Sequence, residues 1–476
     1  MIKVELLGLT MLEEESGKKE VACGKELEAL MSFAAYGCYE GEKPHIGKVI
    51  NLKNRIFDTG HHTILQHIYA TFWLEGLAIS DFTFGLHLAH SFYNSSQRSG
   101  RFCSSMFSKP DFTALANYIH AYWPTLKDRQ FAAILGLVRK GAKIYEDNLI
   151  VAMEHAAKYI KQERPLATEK YINQNALKFA QEQLRVFLPT IFPTAATFTI
   201  NLSTLSSLCQ TAWSPTLKDI SRKMADLIIQ KCPNIAFMFE SANSKESEKF
   251  WRWTPDFNYG DNIEVLYKPK IKLIDLEYNP ESAFPEESMT HPADLLNFHP
   301  CFMKNRKTRF KTKVEISVAT MGQDQRHRTT NRTEPRITGN FYLPPLAALC
   351  RLEDEALEIM NLYRDIAWDL SQDQDNKTLV TAIIPYGAMV EYEKEFDLNS
   401  AIHEMSKRGC WCAQEEIYHL ASGLRNLIDQ GYMDFQERDL LKIFLPACLK
   451  NGKCGEGARY CGRDIGQKPH FPERKI

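Results

Sequence analysis

The chain has 476 residues, of which 44% are hydrophobic and 25% are charged, and its formal net charge is -1 at pH 7. This composition is typical of a globular protein, and the length predicts two or three domains rather than a single core. The near-zero charge excludes nucleic-acid binding through an overall basic field, and no apolar run is long enough to cross a bilayer.

The cysteines and the N-terminal residues indicate the compartment. Twelve cysteines occur without the regular spacing of a disulfide framework. Residues 2–7 alternate like a strand and have no signal-peptide character. We therefore expect a reduced, cytoplasmic protein.

The first half of the chain is predicted to contain two strands and several helices. Alternation of apolar residues predicts strands over 2–7 and 68–74. Helical spacing predicts helices over 26–36, 46–57, 81–89, 112–185 with a break near Pro165, and 201–230.

The second half repeats this order of elements. Residues 251–262 have no periodicity and are interpreted as a domain joint, which gives domains 1–256 and 257–476. Beyond the joint, strands are predicted over 271–276 and up to residue 320, and helices over 346–370 and 399–428. The simplest account is a tandem duplication of an α/β (α+β) fold, each copy a small mixed or antiparallel sheet packed with long helices.

A basic segment follows the predicted strand that ends at residue 320. It reads Gln323-Asp324-Gln325-Arg326-His327-Arg328. Guanidinium groups suit planar, bidentate contact with phosphate or carbonyl oxygens. A solvated basic turn is the alternative interpretation for an isolated Arg-His-Arg.

Further polar landmarks lie in both halves, in the same order. The first half has His61 and His67, then His90 without flanking arginines, Ser99 and Arg101, Arg185-Val186-Phe187-Leu188-Pro189, and Asn201. The second half has the Arg-His-Arg segment, Glu334, Ile384-Pro385 preceded by Thr381, Asn399, and Arg408 followed by Ala413-Gln414-Glu415-Glu416-Ile417.

These landmarks resemble the flavin-dependent thymidylate synthases, the ThyX family. The family signature combines H-x5-H, Q-x-x-R-H-R-x7-S-x-R, R-x-x-L-P, an asparagine and R-x4-A-Q-x-E-I. The first half matches H-x5-H, S-x-R and R-x-x-L-P, with Gln66 where the family usually has glutamate. The second half matches Q-x-x-RHR and R-x4-AQ-x-EI, but Arg336 and Thr338 replace the S-x-R pair. The missing elements are therefore complementary between the halves.

The resemblance implies roles for individual residues. Arg408 would face the uracil carbonyls and stabilise enolate charge, which makes it the predicted catalytic residue. The predicted substrate-binding residues, for a nucleotide phosphate and a pyrimidine edge, are Ser99, Arg101, Arg185, Gln323, Glu334 and Arg408. The predicted FAD-binding residues are His61, Arg326, His327, Arg328 and Asn399.

The resemblance also implies the reaction and the assembly. Family members methylate dUMP to dTMP with FAD, methylenetetrahydrofolate and NADPH, without an enzyme nucleophile. Their active sites form at subunit interfaces, so we expect composite sites in this chain and a homodimer that mimics the family tetramer. The partners implied are dUMP and folate, with no nucleic acid and no membrane.

Two rival functions stay open. One is the same flavin chemistry on another pyrimidine nucleotide, such as UMP. The other is a non-catalytic, nucleotide-binding or scaffolding relative, since each half has lost part of the motif set. Random decay would often remove the same element twice, whereas here nearly every element survives once, which favours the enzyme.

Two stretches remain outside this account. Cys448, Cys454 and Cys461 lie in a glycine-rich tail whose spacing fits no common zinc finger or ribbon. A loose tail without metal is the preferred interpretation, and a zinc site that includes Cys410 or Cys412 is the alternative. Residues 304–313 are basic and alternate, which predicts one charged face of a strand.

Overall fold

Two β-sheets, one from each half of the chain, organise the fold. The computed structural model describes residues 2–10, 24–38, 40–45, 48–88, 93–98, 100, 107, 110–240, 254, 262–284, 296, 299–431, 437–450, 452–457, 460–466 and 474–476. Most of the predicted domain joint at 251–262 lies outside them. The predicted mixed α/β architecture, with two sheets and long helices, is confirmed.

The first sheet has four antiparallel strands in the spatial order β1-β2-β4-β3. Its strands are β1 (Lys3–Leu9), β2 (Tyr69–Ala78), β3 (Tyr93–Gln97) and β4 (Pro193–Asn201). Phe72 and Leu74 of β2 are fully buried while Tyr69 is exposed, which is the alternation that predicted this strand.

The second sheet has the order β5-β9-β10-β7-β6, with β8 paired to β10. Its strands are β5 (Val265–Leu266), β6 (Lys270–Glu277), β7 (Arg309–Ser317), β8 (Asn331–Arg332), β9 (Arg336–Tyr342) and β10 (Ala388–Asp397). The β5–β9 pair is parallel and the others are antiparallel. The path β6-β7-β10-β9 has the order of β1-β2-β4-β3, which supports the duplication; the duplication itself stays a prediction.

Long helices pack around the sheets. They are α1 (Gly24–Gly37), α2 (Phe112–Tyr122), α3 (Asp128–Glu163), α4 (Glu169–Leu184), α5 (Leu202–Thr211), α6 (Pro215–Lys231), α7 (Val318–Asp324), α8 (Glu353–Ser371), α9 (Leu398–Arg408) and α10 (Glu415–Gly431). Shorter turns of helix occupy Lys53–Phe57, His62–His67, Ile79–Asp81, Phe82–Leu86, Arg185–Phe187, Pro233–Phe239, Pro300–Lys307, Pro345–Leu349, Leu379–Ala382, Glu437–Phe444 and Ala447–Lys450. Among the described helices, none is both long and apolar enough to cross a membrane.

Several predicted helices are broken by caps. The prediction over 201–230 was wrong at 212–214, because Ser214 accepts a hydrogen bond from Leu217 N at 3.2 Å and starts α6. The helix predicted over 346–370 is interrupted at Arg351, whose φ of 60° is left-handed, and resumes as α8 at Glu353. Of the helix predicted over 46–57, only Lys53–Phe57 is helical among the described residues.

The helix predicted over 399–428 is also divided, which changes the geometry of the R-x4-AQ-x-EI motif. Arg408 ends α9 and Glu415 begins α10, with a turn between them. A Cβ on Gly409 would lie 2.7 Å from the Phe444 carbonyl oxygen, so this close packing requires glycine. The motif therefore spans a turn rather than one helix.

The basic run at 304–313 is only partly a strand. Lys304 to Lys307 belong to a 3-10 helix, and β7 begins at Arg309. On β7 the three basic side chains face glutamates of β10, at 3.8 Å for Arg309–Glu395, 3.0 Å for Lys311–Glu393 and 2.9 Å for Lys313–Glu391. This face of the sheet is thus paired internally.

The two halves meet through their proline loops. Thr190 N donates to Ile384 O and Tyr386 N donates to Leu188 O, both at 2.9 Å. The bonds are reciprocal between positions that correspond in the predicted repeat, which is the pattern of a two-fold interface. One hydrophobic core cluster includes buried residues of both halves, such as Phe187 and Phe341. This junction leads directly into the site described next.

Candidate functional site

The basic segment begins at Gln323, which is positioned by helix α7. The strand predicted up to residue 320 was wrong: β7 stops at Ser317, whose hydroxyl oxygen accepts from Thr320 N at 3.1 Å and caps α7. The buried Glu416 carboxylate accepts from Ser317 N at 2.7 Å and from the Thr320 hydroxyl at 2.6 Å. Gln323 consequently lies in the last turn of a helix.

A buried ionic network lies beneath the segment. The Asp324 carboxylate contacts Arg332 Nε at 2.6 Å, Lys394 Nζ at 2.5 Å and the Tyr392 hydroxyl at 2.8 Å. Lys394 also pairs with Glu404 at 2.7 Å. Burial opposes ionisation of Asp324, but the charges of Arg332 and Lys394 outweigh it and hold the pKa of this carboxyl well below its usual range.

The same network fixes the backbone of the Arg-His-Arg loop. Arg332 Nη1 donates to His327 O at 3.1 Å and to Thr330 O at 3.0 Å. Arg332 Nη2 donates to Asp324 O at 2.5 Å. Because one charged guanidinium satisfies three carbonyls, the loop conformation is set before any ligand binds.

Replacement of Lys394 by methionine is expected to lower the free energy of unfolding by about 3–5 kcal/mol, since the buried Asp324 and Glu404 lose their shared cation. Urea denaturation followed by far-UV circular dichroism measures this change. Lys311→Met is the matched control: it breaks the exposed Glu393 pair and is expected to cost at most about 1 kcal/mol. Similar losses in both variants would contradict a stabilising role of the network.

Motif residues from both halves converge on one glutamine. The Gln414 side-chain oxygen accepts from Arg185 Nη2 at 3.1 Å and from the Gln323 amide. Arg408 Nη2 donates to Gln323 O at 2.8 Å. Three of the predicted substrate-binding residues, Arg185 from the first half with Gln323 and Arg408 from the second, are thus brought together within one chain.

Arg185 is a buried cation. Its guanidinium lies 5.1 Å from the centre of the Tyr386 ring, and burial lowers its pKa. A Cβ on Gly100 would lie 3.3 Å from Arg185 Nη1, so the residue between Ser99 and Arg101 is adjacent to this guanidinium. Ser99, Arg101 and His90 themselves lie outside the described residues.

His327 is a neutral imidazole with one donor available. Its Nε2 accepts from Arg408 Nε at 2.8 Å, while its buried Nδ1 has no hydrogen-bond partner. Burial, followed by the positive charge of Arg408, lowers its pKa well below the ordinary value. Since Nε2 accepts, Nδ1 carries the proton and is available to a ligand acceptor.

The flanking arginines extend the positive surface. Arg326 is exposed and forms no hydrogen bond or ion pair through its guanidinium with the described residues. Desolvation, and then the charges of Arg185 and Arg328, lower its pKa. Arg328 reaches into the first half, where it donates to Asn94 and lies 4.6 Å from the centre of the Tyr93 ring. Clustered guanidiniums of this kind are suited to a phosphate-bearing ligand.

A cavity of about 210 Å³ opens between the halves at Arg328. Its walls come from the region of β3 in the first half, and from α7, the loop after it, β8 and β10 in the second half. The lining residues are His87, Leu88, Tyr93, Met321, Gln325, Arg328, Thr330, Asn331, Arg332, Thr333 and Tyr392. The arrangement as a whole can bind a polyanion with a planar polar ring system.

Comparison with known proteins found one matching family model. Residues 21–236 match the family model Thy1, described as thymidylate synthase complementing protein. The match lies in the first half of the 476-residue chain and covers less than half of its length. No curated protein sequence matches it.

Solved structures similar to this chain include two of ThyX from Helicobacter pylori with FAD and dUMP. The first has 16% identity, covers 52% of this chain and 100% of that one, and has a TM-score of 0.32. The second has 14% identity, coverages of 50% and 98%, and a TM-score of 0.32. A UMP/dUMP methylase, PolB from Streptomyces cacaoi bound with 5-Br UMP, has 11% identity, coverages of 38% and 97%, and a TM-score of 0.29.

Three predicted site residues are not joined to the arginine cluster by hydrogen bonds in the described structure. His61 is exposed, next to the His62–His67 turn, and Glu334 is exposed after β8. The Asn399 amide is buried and used internally, accepting from Asn305 Nδ2 at 2.8 Å and donating to Phe302 O at 3.1 Å. Their ligand-binding roles stay predictions.

The residues that hold the site in place were not predicted from the sequence. These are Asp324, Arg332, Lys394, Glu404 and Glu416. One signal was available for Lys394: it occupies an inward position of β10, between the buried Tyr392 and Phe396, where a lone charge needs a partner. The pairing of Glu416 with Ser317 had no local signal.

Glu416 predicts a pH dependence of stability. Burial raises its pKa to about 7, against three hydrogen bonds that favour the charged form. Because the pKa of Glu416 is higher in the folded protein than in the unfolded chain, the protonated carboxyl favours the folded state. This stabilisation is complete below the unfolded pKa near 4.5 and is lost as the pH rises to about 7. In urea titrations across this pH window, the unfolding free energy of the wild type should fall by about 3 kcal/mol. We expect this fall to be absent in Glu416→Gln. An unchanged slope in Glu416→Gln would contradict the assignment.

Proposed function

We propose that this protein is a ThyX-like, flavin-dependent thymidylate synthase that methylates dUMP to dTMP with methylenetetrahydrofolate and NADPH. The observation that carries the proposal is the Gln414 side-chain oxygen, which accepts from both Arg185 and Gln323. Each half carries only part of the motif set, and residues from the two halves form one buried, hydrogen-bonded group at Gln414. The active site is accordingly composed of both halves.

The nucleotide phosphate is assigned to Arg185 with Ser99 and Arg101. The position of Gly100 beside Arg185 Nη1 supports this grouping. A nucleotide monophosphate carries about two negative charges, and charge-assisted hydrogen bonds from guanidinium groups stabilise it strongly. In this proposal, the phosphate of the bound nucleotide supplies negative charge next to the buried Arg185 guanidinium.

The pyrimidine is assigned to Gln323 and Arg408. Two nitrogens of Arg408 are fixed, Nε by His327 and Nη2 by Gln323 O, which orients the guanidinium and leaves Nη1 for a uracil carbonyl. A cation held in this way stabilises negative charge on the ring as C5 becomes nucleophilic. The preorganised contacts make the charge stabilisation effective without reorganisation of the side chain.

The residues present fit a bound FAD. His327 Nδ1 and Arg328 Nε are buried donors without partners, and the Arg326 guanidinium has no ion-pair partner among the described residues. Arg326 and Arg328 would hold the phosphates, and His327 would donate to an acceptor of the cofactor. When bound, FAD supplies hydride transfer to the pyrimidine. His61 and Asn399 remain the proposed additional contacts.

The test is the visible spectrum of the purified protein, followed by anaerobic reduction with NADPH and addition of dUMP with methylenetetrahydrofolate. We expect a flavin band that shifts with dUMP, and flavin reoxidation that depends on dUMP and yields dTMP. Reoxidation with UMP but not dUMP would support the rival nucleotide. A protein that takes up no FAD would support the non-catalytic alternative.

The proposed assembly is a homodimer of the fused chain. Sedimentation velocity of the purified protein measures it, and we expect a species of twice the 54.7 kDa chain mass. A protein that remains monomeric at micromolar concentration would place the whole site within one chain.

A further inference from the structure

Five cysteines from separate segments lie in one group beside the α9–α10 turn. Cys410 and Cys412 are in that turn, Cys448 is in the short helix Ala447–Lys450, and Cys454 and Cys461 are in the tail. None of the five forms a disulfide. The Cys412 thiol is hydrogen-bonded to both Cys410 and Cys461, and the charges of Cys410 and Cys461 act on Cys448.

Backbone packing holds these segments together. Gly409 packs against the Phe444 carbonyl, and a Cβ there would also lie 3.7 Å from Pro446, immediately before the helix of Cys448. Gly462, next to Cys461, has a φ of 80° and accepts from Leu166 N at 2.9 Å through its carbonyl. A Cβ on Gly462 would lie 2.4 Å from Ala167 backbone atoms. Both contacts require glycine, so the proximity of the thiols is built into the fold.

Two buried arginines face this group without ion-pair partners in the described structure. Arg164 and Arg474 are each 1% exposed, and Arg164 Nε and both Arg474 Nη atoms have no hydrogen-bond partner. The charges of both act on Cys461. Arg164 also lies 5.6 Å from the Trp411 ring centre. Buried positive charge of this kind is costly unless negative charge is nearby.

The buried positive charge of the two arginines helps to choose between neutral thiols, a disulfide and metal-bound thiolates. Glu163 acts on both guanidiniums and Glu415 acts on Arg474, but neutral thiols or a disulfide would add no negative charge on the side of Cys461. Thiolates on a metal ion are deprotonated outright, and four thiolates on Zn²⁺ carry a net charge of about −2. A metal–thiolate group therefore fits the buried arginines better than a disulfide does.

We propose that Cys410, Cys412, Cys448 and Cys461 bind one structural zinc ion. Among the described residues, no group of three potential ligand side chains already stands in metal-binding geometry. The thiol side chains accordingly turn towards one another when the metal binds. The zinc fastens the tail to the turn between Arg408 and Gln414, and its binding does not depend on the proposed synthase activity.

The experiment is metal analysis of the protein purified without chelator, by inductively coupled plasma mass spectrometry. We expect close to one zinc per chain, and its loss in Cys412→Ser and in Cys461→Ser. Cys301→Ser is the matched control, since Cys301 is exposed and free, and its zinc content should equal that of the wild type. Zinc content below one tenth per chain in the wild type would overturn the proposal.

A second measurement covers variants that fail to fold. Wild-type protein treated with chelator under reducing conditions is titrated with Co²⁺ alone. We expect thiolate-to-cobalt charge-transfer bands and the visible bands of a tetrahedral site, saturating at one cobalt per chain. Absence of these bands, with all five thiols reactive towards a thiol reagent, would also overturn it.

Discussion

Replacement of Arg408 by lysine is expected to lower kcat for dTMP formation by about 100-fold or more, the usual cost of removing one preorganised electrostatic group. Arg408 is held at two nitrogens, by His327 Nε2 and by Gln323 O, each at 2.8 Å. A lysine ammonium is a point charge on a flexible chain and cannot make both contacts while facing a carbonyl. Initial rates over a range of dUMP concentrations separate the change in kcat from that in KM.

Arg129→Lys is the matched control for this substitution. Arg129 forms an exposed ion pair with Asp369 at 3.1 Å and lies on α3, so its replacement should leave both constants unchanged. If Arg408→Lys kept a kcat within a few-fold of the wild type, the guanidinium would not be the group that stabilises the transition state. The flavin spectrum of each variant shows whether the cofactor site is intact.

Replacement of Arg185 by glutamine is expected to raise the Kd for dUMP by about 10- to 100-fold, because a hydrogen bond to a charged group contributes about 1.5–3 kcal/mol. Arg185 comes from the first half, whereas Gln323 and Arg408 come from the second. The effect therefore tests whether both halves bind one nucleotide. Isothermal titration calorimetry of the flavin-loaded protein with dUMP gives the affinity.

Thr381 provides the corresponding control in the other half. It stands where the second half lacks its arginine, and its hydroxyl donates to Thr378 O at 2.9 Å. Thr381→Ser retains this bond and should leave the Kd unchanged. An Arg185→Gln variant with wild-type affinity would remove the first half from the nucleotide site and favour a site built from the second half alone.

The sequence was sufficient for β1, β2, β6 and most of β7, but not for β3, β4, β9 and β10. It was also sufficient for three residues that the fold brings together. Strands such as β2 and β6 were predictable because alternation of buried and exposed side chains follows directly from backbone geometry. Arg185, Gln323 and Arg408 were predictable because each belongs to a motif whose residue types suit phosphate or carbonyl recognition. The complementary motif losses implied a composite site, but not that Arg185 and Gln323 would share the Gln414 side chain.

The end of β7 was not predictable for a physical reason. Val318 and Thr320 favour strands, so the pattern extended the strand to residue 320. Glu416, 99 positions from Ser317, accepts from its backbone nitrogen and decides in favour of a helix. The partnership of Asp324 with Lys394 is equally invisible in the sequence, because the two are 70 positions apart. At these positions, contacts between distant residues of the folded chain determine the structure, against the local strand propensity.

The reciprocal backbone hydrogen bonds between the two proline loops keep the site assembled when the protein is diluted. In an oligomer of separate subunits, a site shared across an interface is lost when the protein concentration falls below the dissociation constant of that interface. Here Arg185 and Gln414 belong to the same polypeptide, and Thr190 and Ile384 join their segments. The effective concentration of one half around the other is fixed by the covalent connection and does not change with expression level. A cell that makes very few copies of this chain still keeps this junction assembled in each one.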